Sequence, residues 1–185
     1  MHKLVISGNK LYLRNLKRSD LKGDYFNWLN DEEVTRFLES GGSPNTVEKM
    51  EEYYRRVTLN PDNVMLAIID KKSDKHIGNI KLGPINKTTR TAALGIMIGN
   101  KDFWGKGYGT VAIKLMVKYA FQQLNLHEVT AGIVAIHQAS INAFQKAGFE
   151  ITGKIKNQFH LDGGCYDYLQ LSITRDNYLG TPGTN

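Results

Sequence analysis

The sequence predicts a mixed α/β (α+β) fold: a mostly antiparallel sheet with one central β-α-β unit and flanking helices. Alternating apolar runs joined by short turns are typical of antiparallel strands, and a strand, glycine-rich loop, helix and strand in succession predict one right-handed crossover. A chain of 185 residues can bury a full core without disulfides or metals. We expect residues 1–178 to form a single domain and residues 179–185 to form a flexible tail.

Helices dominate the N-terminal third of the chain. Its predicted elements are a strand over residues 10–15, a helix capped by Ser19 or Asp20, a short helix from Asp31 and a helix that ends near Thr58. Asn45 followed by Glu48 has the spacing of a capping box, which predicts the start of the third helix. The Gly-Gly-Ser-Pro run over residues 41–44 separates this helix from the one before it.

Strands dominate the remainder of the chain. They are predicted over residues 64–69, 77–82, 91–98, 128–134, 152–159 and 166–173, with helices after Gly105–Gly109 and over residues 140–147. Gly83-Pro84 is expected to end the second of these strands, because proline cannot donate to a strand ladder. Ser140 has a side chain suited to capping the last helix, and Gly148 is suited to ending it.

Composition excludes several classes of protein. Hydrophobic residues make up 41% and charged residues 23% of the chain, as in an ordinary soluble globular protein. No apolar run approaches the roughly 18–20 residues of a membrane helix, and the first residues do not resemble a secretory signal. One cysteine, no CxxC and five separated histidines predict neither a disulfide nor a metal site. We therefore expect a cytoplasmic protein that binds no metal and no membrane.

The net charge of +6 is spread along the chain, with no basic tail and no long run of basic residues. A diffuse excess of this kind suits an anionic small ligand such as a nucleotide or a phosphate, and it is equally consistent with simple solubility. Aromatic and basic residues do not interleave, and no helix-turn-helix pattern is present. We therefore expect no nucleic-acid partner.

The most informative segment is Phe103–Thr110, which reads Phe-Trp-Gly-Lys-Gly-Tyr-Gly-Thr between a predicted strand and a predicted helix. Three glycines in five residues remove side chains where a ligand must approach the backbone closely. Free N–H groups at a helix start attract anions, and Lys106 can add charge while Thr110 adds a hydroxyl. The pattern indicates a pyrophosphate site. The alternative is a glycine-rich turn that only permits tight packing of strand and helix.

Two other phosphate-binding patterns fit this segment poorly. Walker A requires GxxxxGK[ST], but Gly107 follows Lys106 where that motif has Ser or Thr. The run from Gly107 to Ala112 matches the dinucleotide pattern GxGxx[GA] formally. The acidic residue that should close the next strand is represented only by Glu128, which opens that strand instead. A single β-α-β unit is also too little for the dinucleotide-binding fold.

The same segment resembles motif A of the GNAT acetyltransferases, [QR]xxGx[GA], with Gly107 and Gly109 in its two small positions and Trp104 in place of Gln or Arg. The run Ser140–Phe149 resembles motif B of that family. Further similarities cover residues 10–175 in the family's order. They are typical of the RimJ/RimL-like branch, the ribosomal-protein and amino-sugar N-acetyltransferases.

This resemblance implies that acetyl-CoA is the co-substrate, that no metal takes part and that the acetyl group passes directly to an amine. The loop backbone would hold the coenzyme A pyrophosphate, and the strand over residues 93–98 would supply an N–H donor to the acetyl oxygen. For Phe144, core packing is the favoured alternative to coenzyme contact. The implied cofactor-binding residues are Met97, Ile98, Trp104, Gly105, Lys106, Gly107, Tyr108, Gly109, Thr110, His137, Ser140 and Phe144.

Four positions depart from the family's pattern. His137 stands where the family has Asn, and Phe144 stands where it commonly has the Tyr that stabilises the leaving thiolate. Ala93 and Val111 replace glutamates that are common in the family. The usual thiolate acid and one frequent base are therefore missing from their positions. Either other groups substitute for them, or water and the coenzyme suffice, or the activity is lost.

Three residues are candidate catalytic substitutes. Glu39 precedes the glycine break near which the family's acceptor cleft lies, and it could act as a base. His137 could donate a proton to the thiolate or contact the pantetheine. Tyr166, with His160, flanks the last turn and could line the acceptor site.

The sequence thus predicts an acetyl-CoA-dependent N-acetyltransferase acting on a primary amine. A small acceptor such as a nucleotide-linked amino sugar suits the mildly basic chain, and polyamines suit it less. A protein N-terminal α-amine, as in the ribosomal-protein enzymes, is the main alternative acceptor. A non-catalytic acyl-CoA-binding module is the second alternative, because of the departures above. The last strands often pair between subunits in this family, so a homodimer is also predicted.

Overall fold

The structure is a computed structural model, and it describes residues 4–38 and 44–180. Its strands are β1 (Val5–Ser7), β2 (Leu11–Asn15), β3 (Val64–Asp70), β4 (His76–Asn86), β5 (Thr91–Ile98), β6 (Glu128–Val134), β7 (Glu150–Leu161) and β8 (Gly164–Thr174). Its α-helices are α1 (Asp24–Leu29), α2 (Glu32–Thr35), α3 (Val47–Leu59), α4 (Tyr108–Gln122), α5 (Gln138–Lys146) and α6 (Arg175–Gly180). Short 3-10 helices cover Arg18–Lys22 and Lys101–Phe103.

The described strands form one sheet in the order β1-β2-β3-β4-β5-β6-β8-β7. Neighbouring strands are antiparallel except for β5 and β6, which are parallel and connected through α4. The predicted fold class, a mostly antiparallel sheet with one central β-α-β unit, is confirmed. Since the sheet is covered by helices on both faces, its central strands are rich in apolar residues throughout rather than strictly alternating.

Each face of the sheet has its own apolar cluster. On one face α4 contributes Ala112, Ile113 and Met116 to the larger cluster, which α5 joins. On the other face α1 and α3 contribute Trp28 and Met50 to a smaller cluster. Complete burial of such a side chain stabilises the fold by about 1.5–3 kcal/mol relative to exposure. The two clusters hold the sheet between helices on both faces.

The N-terminal helices differ from the prediction in two details. The expected first helix is divided at Gly23, whose extended ψ separates the 3-10 helix from α1. The capping residue of α3 is Thr46 rather than Asn45, because the Thr46 hydroxyl accepts the Lys49 N–H at 3.3 Å. Asn45 instead donates its side-chain amide to the Leu29 carbonyl at 2.8 Å, so it ties the start of α3 to α1.

The prediction that Gly83-Pro84 ends a strand is wrong. β4 continues through this pair to Asn86, and an irregularity in its register with β5 between Leu82 and Ile85 accommodates the proline. The predicted cap of α5 is also wrong, because His137 occupies the N-cap position and Ser140 lies inside the helix. The bounds of β5 and β6 match the predicted ones.

Two elements at the ends of the chain were not predicted. β1 pairs with β2 at the sheet edge. α6 continues to Gly180 and buries Tyr178, which contacts Phe121 with ring centres 5.3 Å apart. The helix therefore includes the first two residues of the predicted tail. No helix in the described part of the chain is long and apolar enough to span a membrane.

Candidate active site

The sheet opens between its two parallel strands. β5 and β6 pair only through Thr91–Ala93 and Glu128–Thr130, in three register pairs. Beyond them β5 runs on to Ile98 and β6 to Val134 without pairing with each other. Backbone N–H and C=O groups require hydrogen-bond partners, so the facing strand edges offer a site to an extended ligand. Met97 and Ile98, predicted to contact the coenzyme, lie in this unpaired part of β5.

The glycine loop lies at the same opening, between the end of β5 and the start of α4. Gly105 and Gly107 have φ angles of 68° and 79°, in the left-handed region that favours glycine. A Cβ at either position would meet no atom within 4 Å, so the loop surface is open. This openness argues against glycines that serve only tight packing. The first N–H groups of α4 lack intrahelical acceptors, and with the helix dipole they form an anion site.

Two side chains attach the loop to its surroundings. Trp104 donates its indole N–H to the Ile98 carbonyl at 2.7 Å, which holds the loop against the end of β5. Lys10 donates from Nζ to the Lys106 carbonyl at 2.7 Å. The same ammonium lies 4.4 Å from the centre of the Tyr108 ring, which is a cation–π contact. These two hydrogen bonds attach the loop to the end of β5 and to the segment just before β2.

A buried carboxylate fixes the first residue of α4. Tyr108 donates its hydroxyl to Asp70 Oδ1 at 2.7 Å, and Ser73 donates its hydroxyl to Asp70 Oδ2 at 2.6 Å. These bonds, from Ser73 first and then from Tyr108, hold the pKa of Asp70 below its usual value. Burial, followed by the Asp70 carboxylate, raises the pKa of Tyr108. The pair therefore stays ionised at Asp70 and protonated at Tyr108, and it ties α4 to the end of β3.

His137 lies just beyond the carboxyl end of β6. Its ring stacks on Phe37, with ring centres 4.3 Å apart and planes 21° apart. Burial lowers the pKa of His137, which favours the neutral ring near pH 7. Arg36, next to Phe37, forms a 3.0 Å ion pair with Asp162 at the tip of the β7–β8 hairpin. The segment after α2 therefore contacts the C-terminal half of the sheet at two points.

The other candidates for the acceptor and catalytic site are Tyr166, His160 and Glu39. Tyr166 is half-buried on β8, two residues before Tyr168, which pairs with Val134 at the end of β6. It thus lies at the same end of the sheet as His137. His160 is exposed on β7. Glu39 lies outside the described residues, so its predicted role stays a prediction.

The motif B helix contributes little polar chemistry. Phe144 is 2% exposed and contacts Phe149 edge to face, with ring centres 4.9 Å apart. This placement is the core packing that the sequence favoured, and the ring has no hydroxyl to protonate a thiolate. Ser140 and Thr110 are half-buried in the first turns of α5 and α4, where their hydroxyls border the helix starts.

Two donor groups on β4 were missed by the sequence reasoning. Asn79 is 3% exposed, and its Nδ2 has no hydrogen-bond partner among the described residues. His76 Nε2 contacts the Gly78 carbonyl at 2.9 Å and Asn79 Oδ1 at 3.0 Å, so this nitrogen carries the proton and Asn79 presents its oxygen. Lys81 is half-buried. Burial, and then the positive charge of Arg56, lower the pKa of Lys81. The available signal was the presence of polar residues in an otherwise apolar central strand.

No group of three or more His, Cys, Asp or Glu side chains suited to a metal occurs within residues 4–38 and 44–180. A mostly antiparallel sheet that opens at its one parallel strand pair, with an anion-binding helix start beside the opening, is the arrangement of a coenzyme A-dependent acyltransferase. The pantetheine arm of acetyl-CoA can extend along the free strand edge, and the pyrophosphate of the coenzyme can bind at the start of the helix.

Comparison with known proteins points to the same class. Residues 10–150 match the family model described as the acetyltransferase (GNAT) domain. The spermidine N(1)-acetyltransferase of Escherichia coli (strain K12) is 27% identical over 181 residues, which cover 96% of this chain and 94% of that protein.

Solved structures share the fold. The spermidine N-acetyltransferase from Vibrio cholerae, in complex with CoA and spermine, superposes with a TM-score of 0.84 at 24% identity and covers 94% of this chain and 100% of its own. A GNAT-family acetyltransferase from Bacillus anthracis superposes with a TM-score of 0.80 at 19% identity and covers 94% and 99%. At these identities the likeness is one of fold.

The chain belongs to the GNAT acetyltransferase family. It is an acetyl-CoA-dependent N-acetyltransferase, and the predicted family, enzyme class and co-substrate are confirmed. The prediction of a small amine acceptor agrees with the relatives at the level of small amines. The roles of individual site residues remain predictions.

Proposed function

We propose that this chain transfers an acetyl group from acetyl-CoA to the primary amine of a small acceptor, in the opening between β5 and β6. The observation that carries the proposal is the juxtaposition of two features: strand pairing that stops after three residue pairs and a helix start with open glycines beside it. Acetyl-CoA supplies the thioester that acylates the amine. The free strand edge and the open loop fit its extended shape and its pyrophosphate.

The chain's own residues divide the work of binding. The backbone N–H groups from Gly105 to Thr110 would bind the pyrophosphate, with Lys106 adding positive charge. The edge of β5 at Met97 and Ile98, which does not pair with β6, would face the thioester, where a backbone N–H donor can stabilise the developing oxyanion. Trp104 would hold the two regions in register through its bond to the Ile98 carbonyl.

We assign proton transfer to residues on the β6 and β8 side of the opening. An amine with a pKa near 10 must lose a proton before it attacks, so a base or a bound water is needed. His137 suits this role because burial lowers its pKa and leaves it neutral near pH 7. Tyr166 can donate a proton toward the leaving sulfur from the same end of the sheet. Glu39 is the third candidate, as the sequence predicted.

Two acceptors are supported by different observations. The relatives favour a polyamine, since one is named a spermidine N(1)-acetyltransferase and another was solved in complex with CoA and spermine. The net charge of +6 favours an acceptor that carries a phosphate, such as a nucleotide-linked amino sugar. We propose the amino sugar as the first acceptor to examine and the polyamine as the second. A protein N-terminal amine ranks third, because no observation on the structure favours it.

The experiment is an acceptor screen that measures CoA release with a thiol reagent. Purified protein is incubated with acetyl-CoA and each amine, and the product is identified by mass spectrometry. We expect acetyl-CoA-dependent acetylation of at least one small amine and a fall in kcat, with little change in the KM for acetyl-CoA, in H137F. H127Q, which changes an exposed histidine just before β6, serves as the matched control. Acetyl-CoA binding without turnover of any amine or N-terminal peptide would favour the non-catalytic module instead.

The predicted homodimer is a separate proposal. It is supported by β7, which forms one edge of the described sheet and exposes Ile151 and Ile155 to 47% and 41%. Pairing of two such edges would continue the sheet and cover both side chains. Light scattering on the purified protein should give about twice the chain mass of 20.8 kDa, and a single-chain mass at the same concentration would exclude the dimer.

A further inference from the structure

An open shelf borders the splayed end of β5, on the sheet face that α1–α3 partly cover. Gly95 is exposed, and a Cβ there would meet no atom within 4 Å. Ala93, two residues earlier on the same face, is also exposed. Because β5 leaves β6 at Ala93, the shelf adjoins the part of the cleft where a thioester would end. It provides room for a small acceptor beside the reacting carbonyl.

Lys81 forms the border of this shelf. It lies directly opposite Gly95 in the register of β4 with β5, and opposite residues of an antiparallel pair share a face. The side chain is half-buried and makes no ion pair within residues 4–38 and 44–180. A partly buried ammonium without a counter-charge is costly, and an anionic ligand would remove that cost.

Asn79, a polar neighbour of Lys81, also has a group without a partner among the described residues. Asn79 lies two residues from Lys81 on the same face of β4, opposite Met97 in the register with β5. Its Nδ2 is a buried donor without an acceptor among the described residues. After burial, the positive charge of Arg56 on α3 also lowers the pKa of Lys81. Lys81, Arg56 and Asn79 therefore supply positive charge and a hydrogen-bond donor, which suits a ligand that carries an anionic group or a hydrogen-bond acceptor.

We propose that Lys81 is a specificity residue that binds an anionic group of the acceptor, a phosphate or a carboxylate remote from the amine that is acetylated. The inference rests on the proposed function and narrows its acceptor to amines that carry such a group. A polyamine would bring a second ammonium to the same place and be repelled. On this basis the chain differs in acceptor from relatives whose names specify spermidine.

The test uses two matched pairs of amines. Cadaverine and 5-aminopentanoate have similar reacting ends but carry opposite charges at the far end. Glucosamine and glucosamine 6-phosphate differ by one phosphate, and they distinguish phosphate from carboxylate recognition when compared with the first pair. Spermidine is added as the relatives' acceptor. The wild-type chain is expected to prefer the anionic member of at least one pair by about 10-fold or more in kcat/KM.

Three substitutions of Lys81 vary the charge. K81M should raise the KM for the anionic amine by about 10- to 100-fold with little change in kcat, and K81R should restore most of the loss. K81E should reverse the preference between 5-aminopentanoate and cadaverine. K118E, the same charge change at an exposed site on α4, should leave the preference unchanged. Equal losses for both members of a pair in K81M, or a fall in kcat alone, would overturn the proposal.

A binding measurement separates this inference from the proposed function. Thermal unfolding with saturating CoA is followed as each of the four matched amines is added, so no turnover is required. Stabilisation by 5-aminopentanoate or glucosamine 6-phosphate, abolished by K81E, supports the site even if no amine is acetylated. Equal or greater stabilisation by cadaverine contradicts it, even if acetyl transfer occurs. Absence of any shift with all four amines also counts against it.

Discussion

Replacing Gly107 by alanine provides a sharp test of the glycine loop as the pyrophosphate site. Gly107 has a φ of 79° at the N-cap of α4, and the direction in which a Cβ would point is empty. In the free protein G107A therefore suffers only from its backbone conformation, with no steric clash. In the complex the new methyl group would occupy the space through which the phosphate approaches the N–H groups of the loop.

The two effects have separable magnitudes. An alanine in the left-handed region costs about 1 kcal/mol, which for a chain of this length lowers Tm by about 2–4 °C. Loss of one charge-assisted hydrogen bond to the phosphate costs about 1.5–3 kcal/mol, so the Kd for acetyl-CoA should rise by about 10-fold or more. Calorimetric titration with acetyl-CoA and thermal unfolding without ligand measure the two quantities independently.

Gly163 offers a matched control. It is exposed at the β7–β8 turn with a φ of 76°, and a Cβ there would also meet no atom within 4 Å. G163A should therefore show the same loss of stability as G107A with an unchanged Kd for acetyl-CoA. Equal Kd values for the two variants would refute the assignment of the loop as the phosphate site.

Three further predictions follow from the described contacts. Y108F removes a buried donor from Asp70 and should destabilise the fold by about 1–3 kcal/mol in chemical denaturation, whereas Y12F, which breaks the exposed bond to Asp74, should cost about 0.5 kcal/mol or less. Burial lowers the pKa of His137 in the folded chain, so on acidification the unfolded chain takes up a proton at this residue before the folded chain does. The free energy of unfolding therefore decreases as the pH falls below about 6.5. H137F should lose less stability than wild type between pH 7 and pH 5, as measured by denaturant titration. Acetyl-CoA should slow amide hydrogen exchange in residues 94–98, and unchanged exchange there would contradict binding along β5.

Much of the fold follows from patterns local in sequence. The bounds of β5 and β6 were predicted because each is an apolar run flanked by polar turns. Errors arose where tertiary contacts override a local signal. Proline within β4 is tolerated because the strand bulges there, and the cap of α3 passes to Thr46 because Asn45 is engaged by α1.

In the candidate site, too, local sequence patterns predict some features, whereas others depend on tertiary contacts. The position of the glycine loop was predictable because glycines at a helix start have a local signature. The supports of that loop were not, since Lys10 and Asp70 reach it from distant parts of the chain. Lys81 and Asn79 were missed because their significance depends on which strands lie beside them and on what fails to pair with them. Such information appears only once the sheet is assembled.

The short pairing of β5 with β6 has a consequence for how this protein can change over evolutionary time. A co-substrate recognised through main-chain atoms places few demands on side-chain identity, as long as the strand edge and the glycine backbone keep their course. Exposed or half-buried positions such as Ala93 and Lys81 are then free to diverge without loss of the acyl donor. New acceptors can be acquired by replacing side chains around an unchanged donor site.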